Sequence, residues 1–237
     1  MVFVDESVTA RVSAIAALDE PTRRQLYDYV VRRPEPVSRD EAAATFDLPR
    51  TTAAFHLDRL VDEGLLEVTY QRRTGRTGPG AGRTAKLYHR SARQVELSLP
   101  ERRYDLAARL LVAALAEAER TGDSPRAVLD RYAHEVGREL ADTATGGAPR
   151  DERSRALQVL DAHGFEPRPD GTDVVLANCP FHTLAQQHTE LICAMNLSLL
   201  NGLLAALART ELSARLAPQP GHCCVRLQPS SHSINQR

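Results

Sequence analysis

The first 178 residues contain no cysteine; all four, Cys179, Cys193, Cys223 and Cys224, fall in the last third of the 237-residue chain. No apolar run approaches the ~20 residues that a bilayer demands, so the sequence argues against a membrane span. The opening Met1-Val2-Phe3-Val4-Asp5-Glu6 has no basic stretch followed by an apolar one, so no signal peptide is expected. These absences predict a cytoplasmic protein with no membrane partner. In that compartment disulfides are rare, and clustered thiols point to ligation or redox chemistry. Lysine is nearly missing: Lys86 is the single one, an arginine bias of the kind a GC-rich genome imposes and therefore no sign of phosphate binding by itself. The net charge of −1 gives no whole-chain attraction to nucleic acid. No internal repeat is visible.

One acid-free segment stands out. Between Val68 and Val95 the charged residues are Arg72, Arg73, Arg76, Arg83, Lys86, Arg90 and Arg93. The chain around it reads as short helices followed by a hairpin. Val8, Val12, Ile15 and Leu18 have the spacing of one helix face. Asp19 as N-cap with Pro21 in the first turn starts a second helix, with Leu26, Tyr29 and Val30 inward. Ser38 with Glu41 fits a capping box opening a short helix. Thr51–Glu63 is a fourth, with Ala54, Leu57, Leu60 and Val61 inward and Gly64 at C′. Leu66, Val68 and Tyr70 then alternate as in a strand, as do Ala85, Leu87 and His89, around a Gly-rich turn over Thr74–Gly82.

The last three of these helices and the basic hairpin, in this order, are the plan of a winged helix-turn-helix. A helix of 10–12 Å diameter fits the major groove, where its early exposed residues meet base edges. Those residues are Arg50, Thr51, Thr52, Phe55, His56 and Arg59, while Arg72, Arg73, Arg76, Arg83 and Lys86 of the wing are placed to meet phosphates or the minor groove. His56 has a second reading, as a half-buried brace of the helix. The stretch from Thr52 through His56, Leu57, Leu60, Gly64 and Leu65 resembles the recognition helix of ArsR-type regulators, whose pattern T-x-x-x-H-L-x-x-L-x-x-x-G-L precedes a wing. The resemblance implies a DNA-binding transcriptional regulator.

Downstream, helices are expected over about Glu101–Arg120, Ser124–Thr143 and Asp151–Gly164, with Gly146-Gly147-Ala148-Pro149 as a linker. A strand pair including Val174-Val175-Leu176, a helix over about Thr189–Arg209 and two final strands follow. Leu106, Leu110, Leu111 and Leu115 form a stripe that is either a dimer surface or intradomain core. The fold class is α+β: a winged helix-turn-helix domain over 1–98, a helical dimerisation region over 99–147, an α/β sensor domain over 148–229 and a disordered tail over 230–237.

The cysteine spacing, C-x13-C-x29-C-C, is neither a zinc knuckle nor a ferredoxin triplet, so the ligands come from separate elements. Cys179 precedes Pro180 at a strand-to-helix junction, and Cys193 shares a helix face with Asn196, Leu197 and Leu200. Strand alternation turns Cys223 inward with Val225 and Leu227 and Cys224 outward with Arg226. That favours Cys223 as third ligand, with Cys224, His182, His188 and His222 as candidates for the fourth. Two chemistries fit: an iron–sulfur cluster, or Zn²⁺ held by Cys and His. An enzyme using Cys179 with His182 as base is the rival class, and no second motif supports it. The segment Asn178-Cys179-Pro180-Phe181-His182, with Leu184, Ala185, His188, Leu191, Cys193, Leu200, Gly221 and Cys223, is similar to the C-terminal domain of SufR-like regulators. That resemblance implies a [4Fe–4S] cluster on Cys179, Cys193 and Cys223. It also implies a homodimer on a palindromic operator of double-stranded DNA and repression of iron–sulfur assembly genes. Relatives of this kind also sense redox state or nitric oxide.

Overall fold

The computed structural model describes residues 7–71, 84–143, 151–207, 210–219 and 221–230. The expected wing tip with Arg72, Arg73, Arg76 and Arg83, the Gly146–Pro149 linker and the tail beyond Ser230 lie outside those residues. The chain divides into two units, Met1–Leu97 and Ser98–Arg237, each with its own core.

In the first unit, α1 (Val8–Ala17) is capped by the Ser7 hydroxyl, which accepts from the Ala10 amide. Its buried face is Ala14 and Ala17, whereas Val8, Val12 and Ile15 are exposed. Helical spacing identified an apolar stripe correctly but not its surroundings: the alanine side permits a closer approach to the core. α2 (Pro21–Val31) begins one residue later than Asp19 would have it. Glu20 is the N-cap, its carboxylate accepting from the amides of Thr22 (3.0 Å) and Arg23 (2.6 Å). Pro21 at N1 has no amide to satisfy, so the residue immediately before it becomes the cap. A two-residue strand, β1 (Val37–Ser38), leads into α3 (Arg39–Thr45), where Ser38 accepts from the Glu41 amide at 3.2 Å.

α4 (Arg50–Asp62) buries Ala53, Leu57 and Leu60; Ala54 and Val61 are only partly covered. Gly64 ends it at φ +70°, a region costly for any residue with a Cβ, and a Cβ there would collide with Arg93. β2 (Leu66–Gln71) and β3 (Ala85–Arg90) pair antiparallel with Val68 opposite Tyr88, and β1 adds to the far edge of β3. This is the three-helix-plus-hairpin plan, with one short strand the alternation pattern is too brief to announce.

The second unit holds α5 (Tyr104–Thr121), α6 (Pro125–Leu140) with a 3-10 turn over Ala141–Thr143, and α7 (Glu152–Ala162). β4 (Pro167–Asp170), β5 (Asp173–Leu176), a one-and-a-half-turn α8 (His182–Gln187), α9 (Thr189–Ala206), β6 (Leu212–Leu216) and β7 (Val225–Pro229) follow. The sheet is antiparallel in the order β4-β5-β7-β6. The helices expected to form a separate region over 99–147 do not stand apart. Leu106 and Leu110 of α5 and Val128, Leu129 and Ala133 of α6 belong to the same core as Val174, Leu176 and Leu227 of the sheet. The α5 leucine stripe is therefore divided: Leu106 and Leu110 are buried and Leu111 half-buried, while Leu115 is exposed beside Val112.

α9 departs from expectation in another way: it is long and apolar enough to cross a bilayer. It is instead the central helix of this core, with Met195, Leu199, Leu200 and Leu203 buried along with the polar Asn196. α6 and α9 touch backbone to backbone. A Cβ on Gly137 would overlap the Leu199 carbonyl oxygen, and one on Gly202 would overlap that of His134.

Candidate nucleic-acid interface and cysteine site

α4 presents two kinds of residue on its outer side. Thr51 and Phe55 are open to solvent, Phe55 with 66% of its surface exposed, and Thr52 is partly covered. Among the described residues, three of the cations predicted as contacts are paired within the unit. Arg50 Nε lies 2.5 Å from Asp40 Oδ1, Arg59 Nη2 lies 2.5 Å from Glu63 Oε1, and Lys86 Nζ donates to Asp58 Oδ1 at 2.6 Å. Exposed pairs of this kind are worth less than ~1 kcal/mol and exchange readily for phosphate. His56 is half-buried, its Nδ1 3.4 Å from Glu20 Oε2 and without a hydrogen bond. The imidazole thus faces the start of α2, and it lies edge-to-face on its α4 neighbour Phe55 at 5.3 Å between ring centroids.

Asp58 ties α4 to the hairpin, because the same Oδ1 also accepts from Tyr88 Oη at 2.7 Å. Desolvation alone would raise the Asp58 carboxyl. The hydrogen bonds from Lys86 and Tyr88 and the ammonium charge outweigh it and hold the group below the usual carboxylate range. Burial, then the bond to Asp58, pushes the Tyr88 phenol up. No sequence pattern announced this tether, since its partners are 28 and 30 residues apart. Asp58→Ala is expected to cost about 1–2 kcal/mol in urea unfolding, as the buried Tyr88 hydroxyl loses its acceptor. A carboxyl lowered on folding stabilises above its unfolded pKa and loses that contribution as pH falls through the folded value. The wild-type unit therefore loses stability on acidification below about pH 4, and Asp58→Ala should flatten part of that loss. A pH-stability profile unchanged by the substitution would refute the tether.

The four cysteines come from three places in the second unit. Cys179 lies in the turn after β5, where the His182 amide bonds its carbonyl at 3.0 Å; Pro180 is in this turn and not in the first turn of α8. Cys193 is in the second turn of α9. Cys223 and Cys224 immediately precede β7, and the Cys223 amide donates to Leu176 O at 2.9 Å, three residues before Cys179. Folding brings these sulfurs together in two pairs. Cys193 and Cys224 are joined as a disulfide with Cα atoms 6.3 Å apart, and Cys179 and Cys223 are free buried thiols. Cys179 accepts a hydrogen bond from the Cys223 thiol and is the more acidic of the two; the Phe181 amide and the nearby Arg102 act in the same direction. Cys223 keeps its proton, raised by that bond and by burial. Arg102 also fixes the Cys179 loop, its Nη1 donating to Asn178 Oδ1 (2.5 Å) and to Cys179 O (2.9 Å).

Strand parity places Cys223 inward as expected, buried with Val225 and Leu227. Cys224 is half-buried and does not turn away: it sits on a bend ahead of β7, outside strict alternation, and its sulfur reaches the buried Cys193. His182, His188 and His222 are exposed. In this thiol–disulfide arrangement no three His, Cys, Asp or Glu side chains group as for one metal ion among the described residues. Sequence reasoning placed Asn196 on the face of Cys193 but gave it no role. It is buried, its Nδ2 donates to Cys223 Sγ at 3.2 Å, and its Oδ1 has no hydrogen-bond partner.

A family model described as a helix-turn-helix domain matches residues 18–69, the span from the end of α1 through β2. Residues 18–69 are a helix-turn-helix domain. No curated protein matches the chain. The match supports a DNA-binding transcriptional regulator, and α4 lies within the matched span. The exposed Thr51 and Phe55 belong to that helix, as do the paired Arg50 and Arg59.

Proposed function

We propose that the chain is a homodimeric repressor whose operator affinity is set by a [4Fe–4S] cluster on Cys179, Cys193 and Cys223, reporting redox state, nitric oxide or iron–sulfur supply. The observation that carries the reading is that four cysteines from three elements meet as two pairs, Cys193 with Cys224 and Cys179 with Cys223, the second pair beside the buried Asn196 amide. The buried donors are sulfur and one amide, with His182, His188 and His222 exposed, which favours a cluster over Zn²⁺ in a Cys3His site. A bound cluster supplies a group that oxidants and nitric oxide destroy. Loading requires that the Cys193–Cys224 disulfide first take up two electrons and two protons from a thiol reductant, giving two free thiols.

Two copies would present recognition helices about one helical turn (~34–36 Å) apart to a palindrome. Val112 and Leu115 of α5 and Val8, Val12 and Ile15 of α1 are among the exposed apolar residues that could serve such pairing. Protein purified anaerobically from iron-replete cells, under a thiol reductant, is expected to be brown and to contain iron. Operator binding should differ between loaded and cluster-free forms; a colourless, iron-free preparation refutes the cluster.

Binding to a pool of randomised duplexes tests the DNA half separately. Affinity for the selected sites should fall steeply with salt. Phe55→Ala is expected to weaken selected-site binding about tenfold while leaving the salt slope unchanged, because a phenyl ring meets thymine methyl groups and not phosphate. Equal loss on unrelated DNA would refute base contact by Phe55.

A further inference from the structure

We infer that Cys179 and Cys223 are a second thiol couple, which a hydroperoxide oxidises to a disulfide beside the existing Cys193–Cys224 bond. The inference concerns the iron-free chain and does not rest on the cluster reading above.

The two thiols are brought together by the backbone. β5 and β7 pair antiparallel, with Val174 opposite Leu227 and Val175 opposite Arg226. The Cys223 amide extends that contact by donating to Leu176 O at 2.9 Å, so the chain entering β7 runs beside the chain leaving β5. Cys179 comes three residues after Leu176, and its sulfur accepts from the Cys223 thiol. Both sides of the pair are held in place. Arg102 Nη1 donates to Cys179 O at 2.9 Å, the Arg103 amide to Pro180 O at 3.0 Å, and Asn178 Nδ2 to Glu101 O at 3.0 Å. Opposite them, Asn196 Nδ2 donates to Cys223 Sγ at 3.2 Å. Two sulfurs fixed in contact give up little further freedom on joining, so closure between them outruns reaction with a second molecule.

The surroundings select partner and oxidant. Cys193 and Cys224 occupy each other, and the chain has no fifth cysteine. Cys179 is 6% exposed and Cys223 3%. Cover of this degree bars a bulky disulfide such as oxidised glutathione, whereas a hydroperoxide needs room for little more than its two oxygens. Cys179, which lies in a turn and accepts the hydrogen bond of the pair, is the attacking sulfur. It takes one oxygen of the peroxide as a sulfenic acid, and the O–O bond breaks to release water or an alcohol. The Cys223 thiol then attacks that sulfur, forming the S–S bond and releasing water with its own proton. The pair gives up two electrons and two protons, and the hydroperoxide is reduced by the same two electrons. With both disulfides closed the second unit holds no thiol, and restoring all of them takes two reducing equivalents of dithiol where the present state takes one.

The test uses the full-length, iron-free protein carrying only the Cys193–Cys224 bond, treated with a slight excess of hydrogen peroxide. Free thiols are counted after denaturation, and unreduced peptides are mapped by mass spectrometry. The two thiols of each chain are expected to fall to none, with a new linkage joining Cys179 to Cys223 within one chain. In Cys223→Ser the sulfenic acid has no thiol to close on and should be trapped on Cys179 by dimedone. In Cys179→Ser the Cys223 thiol should survive the same treatment. Two thiols surviving in wild type, a linkage between chains, or sulfinic acid in place of the linkage each overturn the inference. So does a Cys223→Ser protein that takes no dimedone, or loss of the Cys223 thiol in Cys179→Ser. Where a serine variant does not fold, the wild-type linkage map decides alone.

Discussion

Gly202→Ala is expected to destabilise the second unit by about 2 kcal/mol or more, although alanine is the better helix former. Two effects oppose each other. Replacing glycine inside a helix gains about 1 kcal/mol of propensity. Against that, the new Cβ overlaps the His134 carbonyl oxygen across the α6–α9 contact. Overpacking usually costs about 1–3 kcal/mol, and the low end applies where a side chain can swing away. A carbonyl oxygen cannot swing without moving its helix, so the upper end applies here. Gly137→Ala, which meets Leu199 O from the other side, should behave alike. Because α9 carries Cys193 and Asn196, displacing it should also reduce iron uptake. Chemical unfolding of the full chain measures the first effect and iron content the second. Unchanged or raised stability in both variants would show that the helices have room at this crossing.

Cys193→Ser is expected to have the largest functional effect, through two separable readouts. In the oxidised protein, unfolding in denaturant should expose two reactive thiols, those of Cys179 and Cys223, and reduction should raise the number to four. In Cys193→Ser, three thiols should react without reduction, since Cys224 has lost its partner. Iron uptake should be abolished, because removing one of three cysteines from separate elements leaves no closed set of sulfurs. Cys179→Ser should also lose iron but keep the disulfide, so its oxidised form should show a single thiol. Four thiols in the oxidised wild type would overturn the Cys193–Cys224 pairing. Iron retained by Cys193→Ser would overturn its place among the ligands.

Much of the first unit was legible because its signals are local. Ser38 capping α3, Gly64 ending α4 and the alternation of Leu66, Val68 and Tyr70 each depend on residues within a few positions. The helix-turn-helix match over 18–69 rests on the same stretch. What was not legible is the state of the charges. Arg50, Arg59 and Lys86 read as DNA contacts, yet all three are paired within the unit, and Lys86 finds Asp58 across 28 positions. In the second unit, helical spacing located the stripe of α5 but could not tell which end met the core, so Leu106 and Leu110 are buried and Leu115 is not.

The cysteines divide in the same way. Their confinement to one unit, the inward turn of Cys223 and the shared face of Cys193 and Asn196 followed from sequence order and from the periods of strand and helix. The partnerships did not: Cys193 with Cys224, Cys179 with Cys223, and Asn196 with an oxygen left unsatisfied. Periodicity states which side of its own element a residue occupies. Only packing states what stands opposite, because the distance between elements depends on every side chain between them, down to the two glycines that let α9 lie against α6.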